Sequence, residues 1–192
     1  MTGLYIHVPF CLSKCPYCDF YSVGYDNALA QQYADAVVRN LKHYNETYDT
    51  VYFGGGTPVL LSDKIPEIMK NVRLSENAEI TVEANPCVTD EKRLYDLLSG
   101  GVNRISFGVQ SLDEKELKFL GRRHNAKQAK EAVEAGAQFI VSPGLSVAVA
   151  KICKEKNIPL TKEYLKKCGE NVELFDGVST WFDRINAFGE SL

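Results

Sequence analysis

The chain has no apolar run long enough to cross a bilayer, which takes about 20 residues in succession. It also has no surplus of basic residues to mark it for nucleic acid: 22 Lys and Arg face 25 Asp and Glu, for a net charge of −3. A field of that sign does not attract a phosphate backbone, with the short basic stretch from Lys118 to Arg123 as a local exception. The first residues lack both a basic n-region and a small-residue cleavage site ahead of the cysteines, so no secretory leader is expected. Six cysteines without such a leader point to a reducing cytoplasm. Low-complexity linkers and internal repeats are missing too. What is left is a soluble globular chain whose 192 residues, 45% of them hydrophobic, suffice for one core with at most a small appendage.

Half of the cysteines are gathered in one place. Cys11, Cys15 and Cys18 follow the apolar run Leu4-Tyr5-Ile6-His7-Val8-Pro9-Phe10 in C-x-x-x-C-x-x-C spacing, and Pro16 and Tyr17 separate the last two. Three soft thiolates on a short loop can take three corners of an iron–sulfur cube and leave the fourth iron open. A tetrahedral zinc wants a fourth protein ligand. Cys87, Cys153 and Cys168 are scattered without a second C-x-x-C, and His7 and His43 are not at finger spacing. Three thiols so close are also a crowded, odd-numbered basis for disulfides. Spacing alone ranks a cluster ahead of zinc and leaves both open.

Short β-rich stretches alternate with amphipathic ones. The pattern predicts strands at Leu4–Val8, Thr50–Phe53, Glu79–Glu83, Arg104–Val109 and Gln138–Val141, with a weaker one at Val172–Phe175. Helices are predicted at Asn27–Tyr44, Ser62–Val72, Asp90–Ser99, Asp113–Leu120, Ala126–Ala135 and Leu145–Lys156. Ser62, Thr89 or Asp90, and Ser111 read as their caps, with Pro66 in a first turn. Repeated strand–helix units imply an α/β fold, a parallel sheet with helical cover, whose chemistry gathers at the carboxyl ends of the strands. The cysteine loop follows the first strand, Gly54-Gly55-Gly56-Thr57-Pro58 the second, Glu83 and Asn85-Pro86 the third, and Gly108-Val109-Gln110-Ser111 the fourth. Each alone is weak: a glycine turn, a surface charge, a helix-entry residue. Their shared position on one rim is the stronger signal.

The wording of these segments is specific. Tyr5-Ile6-His7-Val8-Pro9-Phe10-Cys11, Cys15-Pro16-Tyr17-Cys18-Asp19-Phe20, Phe53-Gly54-Gly55-Gly56-Thr57-Pro58, Thr81-Val82-Glu83-Ala84-Asn85-Pro86 and Asn103 through Leu112 closely resemble the radical S-adenosylmethionine family of oxygen-independent coproporphyrinogen III oxidases and their heme-chaperone relatives. Phe20 stands where the oxidase motif usually adds another cysteine, which resembles the chaperone branch. The resemblance implies a partial, TIM-barrel-like (β/α) barrel of about five or six strands. It implies a [4Fe-4S] cluster on Cys11, Cys15 and Cys18, with S-adenosylmethionine on the unique iron and cleaved reductively to a 5′-deoxyadenosyl radical. It further implies that Tyr5 lies against the cofactor region, that Tyr17 contacts the adenine, and that Gly55, Gly56 and Thr57 approach the methionine end. Glu83 and Gln110 would serve as polar partners, and Arg122 would grip a carboxylate. A radical oxidoreductase acting on a tetrapyrrole, with flavodoxin or ferredoxin as electron donor, is one implied activity. A heme-binding chaperone without oxidase activity is the other; the departure from the family described below also leaves an inactive cluster-binding scaffold open. No catalytic residue is assigned.

The likeness weakens after Glu134. The family continues with a strand ending in an aspartate and a Gly-Leu-Pro-Gly loop, whereas this chain reads Ala135 through Gly144 as Ala-Gly-Ala-Gln-Phe-Ile-Val-Ser-Pro-Gly. That wording weakly resembles a strand of 2-keto-3-deoxy-6-phosphogluconate aldolases, without their Schiff-base lysine motif. Residues 1–134 therefore read as the radical core. Residues 135–192 read as one or more further β/α units and a tail on the same barrel, in a truncated, fused or chimeric chain. Trp181 and Phe182 read as core or lid aromatics.

Overall fold

A computed structural model of the chain describes residues 2–135. The expected strands Gln138–Val141 and Val172–Phe175, the helix Leu145–Lys156, Trp181, Phe182, Cys153 and Cys168 lie outside the described residues. The chain divides into two compact units, one made of residues 1–109 with 120–124 and one of 110–119 with 125 onward.

In the first unit β1 (Gly3–Val8) runs into a two-residue strand β2 (Phe10–Cys11), which pairs in parallel with β3 (Val23–Gly24). There follow α1 (Asn27–Leu41), β4 (Thr47–Gly55), a 3-10 turn at Pro58–Leu61, α2 (Ile65–Met69), β5 (Arg73–Ala84), α3 (Glu91–Ser99) and β6 (Arg104–Phe107). The main sheet has the order β1-β4-β5-β6, every neighbour parallel, with helices in the crossovers. This is the α/β organisation of a partial (β/α) barrel.

Side-chain alternation gives the sheet two unlike faces. Ile6, Val8, Val51, Phe53, Ile80, Val82 and Ala84 are buried in one cluster with Ala30 and Ala34 of α1, Ile65 and Ile68 of α2 and Leu97 of α3. Register brings Tyr5, Tyr52, Thr81 and Arg104 level across the four strands on the other face, with Glu83 opposite Ser106. A parallel sheet covered on both sides reads as continuous apolar runs; here the second face carries hydroxyls, an imidazole and charges.

Several boundaries differ from expectation for local reasons. Ser62 does not cap a helix from 62 to 72: Pro58 starts a 3-10 turn that ends on Ser62, and α2 begins only at Ile65. Asp90, not Thr89, caps α3, its carboxylate accepting the Arg93 N–H at 2.8 Å. β5 reaches back to Arg73 through a charged stretch that shows no strand alternation.

The described part of the second unit contains α4 (Glu114–Phe119) and α5 (Ala126–Glu134). Asp113 accepts the N–H groups of Lys115 and Glu116 at the head of α4, while Ser111 turns its hydroxyl to the Asp113 amide and the Glu116 carboxylate. A reciprocal Asn125–Gln128 capping box opens α5, and the Ala126 N–H donates to Glu114 at 2.8 Å.

Phe53, with 0% exposure at the centre of the helix-facing layer, measures how much that layer contributes. Phe53→Ala is expected to lower unfolding free energy by about 3–5 kcal/mol, read as a shift in the urea midpoint with an unchanged slope.

Candidate functional site

The cysteine loop is tied at both ends by backbone bonds. Val23 N–H donates to Pro9 O at 2.7 Å and Tyr25 N–H to Cys11 O at 2.9 Å, while the fully buried Phe10 ring meets Tyr25 and Tyr33 edge-on. Between these ties the loop makes a turn of its own, Cys18 N–H to Cys15 O at 3.0 Å. Cys11, Cys15 and Cys18 are all unpaired and half-buried.

The exit of β4 presses against this loop. Gly56 N–H donates to Val8 O and Thr57 N–H to Phe10 O, both at 2.7 Å. A Cβ on Gly56 would sit 2.6 Å from Phe10 O and 2.9 Å from Val8 O, so the approach tolerates only glycine. Gly55 adopts φ +111°, and a Cβ there would fall 2.5 Å from the His7 ring. Gly55 N–H goes to Glu83 Oε2 at 3.1 Å. The amides of Gly55, Gly56 and Thr57 are thus all used inside the protein. The turn keeps no N–H with which to cradle an anion.

Glu83 is held between that amide and the Tyr52 hydroxyl, which donates to Oε1 at 2.7 Å. Tyr52 stacks on Tyr5 with centroids 6.2 Å apart, and the Tyr5 hydroxyl meets His7 Nδ1 at 3.1 Å. His7 Nε2 lies 3.0 Å from Tyr21 O, a pure acceptor, so Nε2 carries the proton and a neutral ring leaves Nδ1 to accept from Tyr5. Tyr5, His7, Gly55, Glu83 and Tyr52 thereby close a ring of contacts. Burial first, then the bond and charge of Glu83, push the Tyr52 phenol up to about 12. Burial also raises the Tyr5 and Tyr17 phenols above their ordinary value.

Arg122 Nη1 lies 3.4 Å from Cys15 Sγ and 3.3 Å from the Tyr17 hydroxyl, and Nη2 donates to Gly108 O. Its Nε is buried and has no partner among the described residues. Thr57 Oγ1 lies 3.6 Å from Cys11 Sγ. Cys87, scattered from the other cysteines in sequence, lines one small open cleft with Ser13, Cys15, Thr57, Asn85 and Arg123. The signal was its place just past β5, two strands from β1. Burial raises the Cys87 thiol, against a downward pull from Arg123 and Arg122. His124 is buried with Nε2 at 2.8 Å from Val109 O. Gln110 belongs to the second unit, where it takes a left-handed φ of +70°, unusual for a non-glycine residue.

The donor set can be tested against a cluster. Among the described residues no three His, Cys, Asp or Glu side chains converge tightly enough to share one metal ion. A cube spreads its ligands over separate irons, so its thiolates need not meet at a point. Three thiols on a tied loop, hydrogen-bond donors beside two of them and an orphaned guanidinium N–H fit such a group.

Two outcomes follow from this geometry. Gly56→Ala is expected to destabilise by about 1–3 kcal/mol because the obstacle is backbone, whereas Gly24→Ala, with nothing within 4 Å of the new Cβ, should stay within about 0.5 kcal/mol of the parent; urea unfolding compares them. The Tyr52 value lies above the unfolded one near 10. Its contribution to stability is therefore complete below about pH 10 and is lost as pH rises through about 12. Tyrosinate absorbance should show a late-titrating phenol that Tyr52→Phe removes; Tyr33, also pushed to about 12 chiefly by burial, should remain.

Comparison with known proteins agrees with these features. The family model of the Radical SAM superfamily matches residues 5–150. The heme chaperone HemW of Haemophilus influenzae is 37% identical over 146 residues, covering 68% of this chain and 38% of that protein. HemW of Escherichia coli K12 is 41% identical over 143 residues, covering 69% and 38%. Radical S-adenosyl methionine domain-containing protein 1, mitochondrial, of Danio rerio is 32% identical over 91% of this chain and 42% of its own length, a match too long to stop at residue 134. Among solved structures, the coproporphyrinogen III oxidase HemN of Escherichia coli superposes with a TM-score of 0.63 at 27% identity, over 73% of this chain and 36% of that one. The chain spans well under half the length of these relatives. With the family model covering most of its residues, this chain belongs to the radical SAM superfamily, in the HemN/HemW-like group.

Proposed function

We propose that Cys11, Cys15 and Cys18 hold a [4Fe-4S] cluster and that S-adenosylmethionine binds its remaining iron, in a protein that handles a tetrapyrrole. The observation that carries this reading is the tied loop with three unpaired thiols at the carboxyl end of β1. When bound, cluster and cofactor together supply one-electron cleavage of a sulfur–carbon bond and a 5′-deoxyadenosyl radical able to abstract hydrogen.

The remaining roles belong to the chain. Glu83 has two of its carboxylate lone-pair sites occupied and others left to accept from an ammonium or hydroxyl. With its amides spent, the Gly55–Thr57 turn offers acceptors, which suit the amino rather than the carboxylate end of the cofactor. Three N–H groups of Arg122 are engaged, leaving two of a guanidinium's five for a carboxylate. The half-exposed Tyr17 ring offers a face for the adenine, and the exposed Tyr5 ring borders the same region. The electron comes from a carrier such as flavodoxin or ferredoxin, in the cytoplasm. No helix among the described residues is long and apolar enough to cross a membrane.

A second reading, a heme chaperone without oxidase activity, is favoured by Phe20 and by the HemW relatives. Anaerobic reconstitution followed by electron paramagnetic resonance tests the site. A cluster signal that changes on adding S-adenosylmethionine is expected; Cys15→Ala should abolish it and Cys87→Ala should keep it. Stoichiometric zinc that iron and sulfide cannot replace would sink the proposal. Release of 5′-deoxyadenosine with turnover of a porphyrinogen separates oxidase from chaperone.

A further inference from the structure

Two of the three loop thiols accept a hydrogen bond, and each donor is fixed by the backbone around it. Thr57, 3.6 Å from Cys11 Sγ, is anchored by its own N–H on Phe10 O. Arg122 is anchored twice. Its Nη2 donates to Gly108 O, and the preceding Gly121, at φ +64°, packs so closely on the cysteine loop that a Cβ would meet Pro16 Cδ at 2.7 Å. That contact lays the Arg122 segment against the residue between Cys15 and Tyr17. One nitrogen, Nη1, then serves both the Cys15 sulfur and the Tyr17 hydroxyl. Cys18 Sγ accepts no hydrogen bond from the described residues.

We infer that Arg122 and Thr57 are positioning residues that set the reduction potential of the bound cluster by hydrogen-bonding the Cys15 and Cys11 sulfurs. The inference rests on the cluster reading above. A thiolate ligand gains electron density when the cluster takes up an electron, so a donor aimed at its sulfur stabilises the reduced form more than the oxidised one and raises the potential. The Arg122 donor carries a full positive charge and the Thr57 hydroxyl none, so Arg122 contributes more. The arrangement is lopsided: the cluster edge bound by Cys11 and Cys15 is the better stabilised for added charge, while the Cys18 corner is not. Arg122 also links that tuning to Tyr17, because a shift of the guanidinium moves both partners.

The test is a redox titration with dithionite of the anaerobically reconstituted protein, followed by electron paramagnetic resonance in the absence of S-adenosylmethionine. In Arg122→Gln the ratio of reduced to oxidised cluster at a fixed poise should fall by about tenfold, equivalent to about 59 mV for one electron. Thr57→Val should lower it by about threefold, and Arg122→Lys, which keeps the charge but not the fork, should fall between parent and Arg122→Gln. A purely structural role for Arg122 lowers the amount of cluster bound and leaves the potential of the loaded fraction unmoved; that result, with an unmoved Thr57→Val, overturns the inference. If Arg122→Gln takes up no cluster, Thr57→Val decides alone, and a parental potential there overturns it. A parent protein that takes up no cluster at all overturns the cluster reading itself and this inference with it.

Discussion

The structure turns on a backbone-to-backbone approach at Gly56. There the exit of β4 comes close enough to the end of β1 for two consecutive amides to reach Val8 O and Phe10 O, at a separation that leaves no room for a side chain. The same approach aligns Thr57 with Cys11 and, through Gly55, brings Glu83 and His7 to the turn. If the turn were displaced, the loop would lose one wall and Glu83 one of its two donors. A glycine demanded by packing and a glycine demanded by a ligand look alike in a sequence. Here the packing requirement is explicit, and it constrains what the turn can bind.

The division of labour within the sheet follows from that joint. Its apolar face is closed by α1, α2 and α3 and supplies the stability; its polar face carries Tyr5, His7, Tyr52 and Glu83 locked together by hydrogen bonds and stacking. A carboxylate whose two oxygens are each already engaged is a stiff acceptor, since its rotamer is fixed before anything else arrives. The guanidinium of Arg122 is comparably restrained by three acceptors, Cys15 Sγ, the Tyr17 hydroxyl and Gly108 O. The carboxylate is thus fixed at the glycine turn and the guanidinium at Cys15. Both groups are therefore held in place before any ligand is bound.

Much of this was legible in the residues. The four described main strands fall where β-rich stretches stood, and the cysteine spacing, the glycine turn and Glu83 pointed to one rim because strand ends in parallel folds share a side. What was hidden depends on distant backbone. The β2–β3 pair is two residues long on each side, too short for any periodicity, and is made by bonds across the cysteine loop. The beginning of β5 is charged and pairs only because β4 lies beside it. Ser62 looked like a cap because its chemistry is that of a cap; Pro58, four residues earlier, had already started a tighter turn. Cys87 carries no local signal, and only the strand order brings it to a cleft shared with Cys15.

The short ladder between β2 and β3 has a kinetic meaning as well as a structural one. Closing a flexible loop costs entropy that grows slowly with its length, roughly as the logarithm. By tying Pro9–Cys11 to Val23–Tyr25 with backbone hydrogen bonds, the fold meets that cost during its own folding. The thiols are consequently confined to a small volume at high effective concentration, like donors on one chelating molecule. Any group that engaged one of these sulfurs would meet the other two as intramolecular partners.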